Sequence, residues 1–313
     1  MAKPESENPH ILVLDEFADD YRPYLAHLSD SVSYASAPHD QVASADVLLA
    51  QPDLAADYIR THRPVKWIQS TWAGIKPLVA PLAHTSVPVT GIRDIFGAQI
   101  SEYIFAYLLE DARKLAHTYD AQQNAHWRPF LPGTLSGKHL LILGTGSIGT
   151  HVAQVARTFA MRITGISRSG RPLEAFDSVT GIGALNREVS KADYVVLTIP
   201  ETTETHHIIN SNVLAAMNPD AMLINVSRGN TIDEAALLHA IQNKSLRKAV
   251  LDVFAREPLP SFSPLWSVPG IVVTPHIAAV SIPQDVSRIF LSNLQKFKHG
   301  SPLDYKIDLA KGY

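Results

Sequence analysis

Three residues of different chemical type fall at matching places in the second half of the chain. Arg228 lies in N-V-S-R-G-N, Glu257 in D-V-F-A-R-E-P-L-P and His276 in T-P-H-I-A-A, each after an apolar run that reads as a strand. A planar guanidinium holds a carboxylate through two hydrogen bonds. Histidine exchanges a proton near neutral pH, and a carboxylate beside it orients the ring and favours its charged form. The set suits a 2-oxo acid: hydride leaves a nicotinamide, His276 gives a proton to the developing oxyanion, and Arg228 balances charge on carboxylate and carbonyl. Singly, each has a duller account. The chain holds 14 histidines, an arginine can cap a carbonyl, and a glutamate can stand in solvent.

A nicotinamide needs a holder, and residues 140–149 read L-L-I-L-G-T-G-S-I-G. An apolar run enters a G-x-G-x-x-G of Gly144, Gly146 and Gly149, with Thr145, Ser147 and Ile148 between them, and T-H-V-A-Q-V-A-R-T-F-A continues as a helix. In a strand-turn-helix unit the first glycine permits the turn, the second lets backbone approach a pyrophosphate, and the third allows close helix–strand packing. Helix N-terminal N–H groups then face the phosphates. An ordinary glycine turn is the competing reading. It is disfavoured by the following strand, M-R-I-T-G-I-S, which ends near Ser167.

The elements that position these residues alternate between the two periodicities. Residues 10–14, 45–50, 66–69 and 87–90 are strand candidates, and A-D-D-Y-R-P-Y-L-A-H-L has helical spacing, with Pro23 tolerable only near its start. After V-K-W-I-Q comes Q-S-T-W-A-G-I. Open α/β sheets place ligands at such strand ends, and the Ala73 and Gly74 N–H groups could bind an anion there. A plain turn with Trp72 in a core is the stronger reading from that motif alone. Residues 97–120 read as one long helix crossing between domains. From Lys191 onward strands alternate with helices over 211–217 and 233–242, which implies a parallel sheet wound on both faces. A last helix, about 282–298, is long enough to carry the chain back to the first domain.

Composition limits the partners. With 313 residues the chain is long enough for two cores. Apolar content of 46%, charged content of 18% and a net charge of -3 predict a soluble protein with no nucleic-acid partner, because no basic block appears. With no cysteine, disulfides, thiolate metal sites and a cysteine nucleophile are excluded, and no metal is expected. The opening M-A-K-P-E-S-E-N-P-H lacks the apolar segment of a signal peptide, and no stretch matches a membrane span. Cytoplasm is the expected location.

The ordered set G-T-G-S-I-G, P-E-T-T-E-T-H-H-I-I-N, N-V-S-R-G-N, L-D-V-F-A-R-E-P-L-P and T-P-H-I-A-A resembles the D-isomer-specific 2-hydroxyacid dehydrogenase family over nearly the whole chain. Q-S-T-W-A-G, S-R-S and the terminal K-G-Y look most like its bacterial glyoxylate/hydroxypyruvate reductase branch. The resemblance implies an α/β fold of two Rossmann-like domains with doubly wound parallel sheets. In it the coenzyme domain (99–284) is inserted in the substrate domain (1–98 plus 285–313). It implies that Arg228, Glu257 and His276 are catalytic, that Ala73 and Gly74 meet the substrate carboxylate, and that Trp72 lines the pocket. Asp252 would face the nicotinamide amide, and Pro200, Thr205, Val226 and Ser227 would border the cofactor. Arg93 falls near the site in that family without an assigned role, and homodimers built on the coenzyme domain are usual.

One departure bears on the cofactor. Many members carry an acidic residue at the end of the second coenzyme-domain strand, where this chain has Ser167, Arg168 and Ser169. No carboxylate is left to repel a 2'-phosphate, and Arg168 can pair with it, so NADP(H) is preferred, with NAD(H) possible. Arg168 and Arg171 as solvated loop charges is the duller account. Two other classes stay open: a dinucleotide-sensing corepressor on the same fold, although no recruitment tail is present, and a formate dehydrogenase, which has glutamine where Glu257 stands.

Overall fold

The structure is a computed structural model that describes residues 9–38, 44–62 and 65–309. The opening residues 1–8 and the terminal 311–313, both read above, lie outside the described residues. The chain divides into two compact units, Met1–Ile95 with Ser281–Tyr313, and Phe96–Val280.

The first unit begins with β1 (Ile11–Leu14), α1 (Arg22–Leu25), β2 (Val32–Ala35), β3 (Val47–Ala50), α2 (Pro52–Thr61), β4 (Trp67–Ser70), α3 (Lys76–Leu82) and β5 (Val89–Thr90). These five strands pair in parallel, in the order β2-β1-β3-β4-β5. Strands β1, β3 and β4 are buried along their whole length. That is why β1 and β3 read as unbroken apolar runs, a parallel sheet being covered on both faces, while β4 carries the buried polar Gln69 and Ser70 at its end. Residues 18–28 do not form the single helix their spacing predicts. Short 3-10 turns flank one α turn, with Pro23 in its first positions and a non-helical Leu28 beyond it.

The second unit opens with α4 (Gly97–Arg113) and α5 (Leu115–Gln123). The one helix expected over 97–120 is broken at Lys114, whose φ of 54° is left-handed. Burial explains the break. Six side chains of α4 are buried and none of α5 is, so no packing holds the second segment in line with the first. There follow β6 (His139–Leu143), α6 (Ser147–Thr158), β7 (Arg162–Ser167), β8 (Ser178–Gly181), α7 (Leu185–Val189), β9 (Tyr194–Leu197), α8 (Ser211–Ala216), β10 (Met222–Asn225), α9 (Glu234–Gln242), β11 (Lys248–Leu251) and β12 (Ile271–Val273). The seven strands pair in parallel in the order β12-β11-β10-β9-β6-β7-β8. Strand order reverses between β6 and β9, so loops diverge there at the strands' C-terminal ends.

The chain then returns to the first unit as α10 (Pro283–Lys298). Phe290 is fully buried and stacks on Trp67 with ring centres 5.3 Å apart. Buried Asn293 donates to Gln69 Oε1 at 3.2 Å, and the Trp67 indole donates to Thr90. An apolar stack together with these partnered polar groups ties the last helix to this sheet. Among the described residues no helix is long and apolar enough to cross a membrane.

Candidate active site

The glycine loop separates three physical demands. Gly144 has φ 107°, and a Cβ there would lie 2.7 Å from the Thr198 carbonyl oxygen. At Gly149 a Cβ would lie 1.9 Å from the Gly144 carbonyl oxygen, so α6 rests on the end of β6 only because side chains are missing. Gly146 is different: a Cβ would meet nothing within 4 Å. Its exposed backbone borders open space at the start of α6, and no side chain caps that helix. Ser147, Ile148 and Gly149 therefore present N–H groups outward, as an anion requires. Thr198, which the sequence reading passed over, secures the loop by hydrogen bonds to the Leu143 and Gly144 carbonyls.

Two further strand ends flank this loop. After β7, Ser167 Oγ accepts from Gly170 N–H at 3.1 Å, and the exposed Arg168 has no hydrogen bond or ion pair among the described residues. Arg168 is thus free to meet a ligand. After β9, Thr205 Oγ1 donates to the Pro200 carbonyl at 2.7 Å and accepts from Thr202 N–H, which closes a turn.

At the end of β10, Asn225 organises the backbone that presents Arg228. Its Oδ1 accepts from Ser227 N and Oγ, while its Nδ2 donates to the Arg228 carbonyl. Val226 is half-buried between them. Arg228 Nη1 donates to the Ser227 carbonyl at 2.6 Å. Burial pulls the guanidinium's pKa down, against the opposing effect of the Glu257 and Glu201 carboxylates; an arginine still keeps its charge.

The ends of β11 and β12 hold the proton-exchanging pair. Glu257 Oε2 meets His276 Nδ1 at 2.8 Å, and its Oε1 accepts from Phe254 N–H at 2.9 Å. This contact raises the histidine pKa, by hydrogen bonding first and by charge second, against the lowering effect of burial. Burial works against the Glu257 carboxylate as well, yet the His276 and Phe254 hydrogen bonds outweigh it and hold that pKa below the usual value. With Nδ1 engaged, Nε2 is the ring nitrogen left for a substrate. Asp252 is almost completely buried. It accepts from Ile277 N–H and Thr274 Oγ1 on one oxygen and from Ala278 N–H on the other. One of a carboxylate's roughly four lone-pair positions stays open, on Oδ2.

The remaining predicted residues belong to the first unit. Ser70 Oγ donates to the Trp72 carbonyl and accepts from Trp72 N–H, and Thr71 Oγ1 donates to buried Asp15. Trp72 is 42% exposed, which excludes the core reading for its indole within this unit. The Ala73 and Gly74 N–H groups have no acceptor among the described residues. Arg93 is exposed next to Asp94, which accepts from the Tyr305 hydroxyl.

Comparison with known proteins gives one family. The family model for the D-isomer specific 2-hydroxyacid dehydrogenase NAD binding domain matches residues 105–278. The glyoxylate/hydroxypyruvate reductase A of Escherichia fergusonii is 30% identical over 258 residues, which are 80% of this chain and 83% of that one. Among solved structures, a D-isomer specific 2-hydroxyacid dehydrogenase family protein from Aeromonas salmonicida is 39% identical with a TM-score of 0.92, covering 97% of this chain and 100% of its own. Another from Xanthobacter autotrophicus, solved in complex with NADPH and MES, is 27% identical with a TM-score of 0.87 and covers 98% of this chain and 100% of its own.

Proposed function

Because the chain belongs to the D-isomer specific 2-hydroxyacid dehydrogenase family, we propose that it reduces small 2-oxo acids, glyoxylate and hydroxypyruvate foremost, to D-2-hydroxy acids with NADPH. The observation that carries this reading is the 2.8 Å contact between His276 and Glu257 beside Arg228. A dinucleotide fits the open space at Gly146, the uncapped start of α6 and the unpartnered Arg168. When bound, the reduced nicotinamide supplies hydride to the carbonyl carbon. Arg228 holds the substrate carboxylate and carbonyl, and Ala73 and Gly74 offer N–H groups to that carboxylate. As the carbonyl oxygen gains charge, His276 releases the proton on Nε2 to it. The ring is left neutral, with Nδ1–H donated to Glu257. Asp252 would face the nicotinamide amide, and Trp72 would give the substrate an apolar wall.

Arg168, with Ser167, selects the phosphorylated cofactor in this reading. A hydrogen bond to a charged group contributes about 1.5 to 3 kcal/mol, and about 1.4 kcal/mol is tenfold. The expected preference for NADPH over NADH is therefore about 10- to 100-fold in kcat/KM. The experiment compares both cofactors over a panel of glyoxylate, hydroxypyruvate, phenylpyruvate and branched 2-oxo acids, in wild type and in Ser167→Asp with Arg168→Ala. The variant should move toward NADH with the same order of substrates. A wild-type preference for NADH, or a ratio indifferent to both substitutions, excludes Arg168 from the cofactor site, and no turnover on the panel excludes the function.

We also propose that the protein is a homodimer built on the Phe96–Val280 unit. Trp127 and Leu131 of that unit are 94% and 90% exposed, apolar surface of the kind an interface covers. Light scattering should return twice the chain mass of 34.2 kDa, and a monomer at assay concentration contradicts this.

A further inference from the structure

His276 has a backbone conformation that needs an explanation. Its φ is 55°, in the left-handed region where a non-glycine residue carries a strain that its surroundings must over-determine. The over-determination comes from Asp252. Its backbone carbonyl accepts from His276 N–H at 2.9 Å, and its carboxylate accepts from the next two amides, Ile277 N–H at 2.8 Å and Ala278 N–H at 2.9 Å. Three successive N–H groups are thereby tied to one residue.

The carboxylate is itself held from elsewhere in the unit. Thr274 Oγ1 lies 2.6 Å from Asp252 Oδ1 and 2.7 Å from the hydroxyl of Tyr103 on α4. The direction of these bonds follows from counting protons. A threonine hydroxyl has one hydrogen, and Thr274 donates it to Asp252 Oδ1. Tyr103 must then donate to Thr274. Burial raises the Tyr103 pKa, which keeps that donor protonated over the working range. The chain runs from Tyr103 through Thr274 and Asp252 to the backbone at His276, and it crosses 171 positions of sequence in its first step.

We propose that Tyr103 is a positioning residue for the reaction, holding the strained His276 backbone in place through Thr274 and Asp252 without touching substrate or cofactor. The inference rests on the reading of His276 as proton donor. It makes the orientation of Nε2 depend on a hydroxyl of another element, and small misplacements of a catalytic group are costly.

Tyr103→Phe and Thr274→Val each remove one hydroxyl and leave the shape nearly unchanged. In either variant kcat for glyoxylate with NADPH should fall about three- to tenfold, the size of one net hydrogen bond, with the Kd for NADPH unchanged. Thr274→Ser, which keeps the hydroxyl, should restore turnover. Amide hydrogen exchange of the cofactor-free protein gives a readout independent of activity: Ile277 and Ala278 should exchange faster by about the same factor in Tyr103→Phe, while the amides of β6 and β9 stay as in wild type. Unchanged exchange at Ile277 and Ala278 overturns the proposal, as does faster exchange with wild-type kcat. Full turnover in His276→Ala separately removes the proton-donor reading and leaves the exchange result to stand on its own.

Discussion

Glu257 and His276 make a pH-dependent device whose direction follows from their contact. In the proposed reduction the imidazolium is the proton donor, so the rate should be flat at low pH and fall as pH rises through the His276 pKa. Glu257 raises that pKa above its ordinary 6.5. Glu257→Gln removes the charge and leaves a weaker hydrogen bond, so the falling limb of kcat/KM should move to lower pH. A pH–rate profile of the variant with its limb in the wild-type place would show that Glu257 does not govern the histidine. The pair's effect on folding has the same origin. The raised His276 pKa contributes stability that is present below about 6.5 and lost as pH rises through the folded value. The lowered Glu257 pKa contributes stability that is lost as pH falls through its own folded value. With side chains 51% and 37% exposed, solvent screens both contributions and they stay small. At this scale the sequence was informative where a strand end announces itself, as at Arg228, Glu257 and His276. It was silent on Thr274 and Tyr103, because a hydroxyl partner 171 positions away leaves no local pattern, and on Asn225, whose contacts with Ser227 and Arg228 are local but carry no motif of their own.

Among the elements, the junction of β6 with α6 separates folding from binding. Gly149→Ala places a methyl 1.9 Å from a backbone carbonyl, where nothing flexible can move aside. It should destabilise the protein by at least the ~1 to 3 kcal/mol of an overpacked core. Gly146→Ala meets no protein atom, and its φ of -76° suits alanine. Its melting temperature should stay close to wild type while NADPH binding weakens at least tenfold. Thermal melts with cofactor titrations check both, and a Gly146→Ala protein that binds NADPH as wild type does would remove the pyrophosphate from that loop. The same junction was the most legible element of the chain, since a buried strand, a glycine motif and a helix follow without interruption. Strands β2 and β8 were not legible. V-S-Y-A and S-V-T-G are short edge strands, half-buried or exposed, so neither an apolar run nor a clean alternation marks them. The Lys114 break was hidden for a different reason: L-A-H-T-Y-D-A-Q-Q keeps helix-compatible residues while losing the packing that would have held it straight.

Across the whole molecule, both units are built on parallel sheets, and this is why the candidate residues could be found at all. A parallel sheet sends every strand in the same direction, so the loops that follow β6, β7, β9, β10, β11 and β12 emerge at one edge. Residues scattered from 144 to 276 are gathered there by topology alone. The pairing of His276 with Glu257 is the consequence on which the proposed chemistry depends, and the most direct test is the turnover of His276→Ala. Oxidation of NADPH in the presence of glyoxylate, followed by the absorbance of the reduced nicotinamide, should slow in kcat by about the 10² to 10⁴ of a lost general acid, with NADPH affinity largely kept. A folded His276→Ala protein that turns over at the wild-type rate would contradict the account.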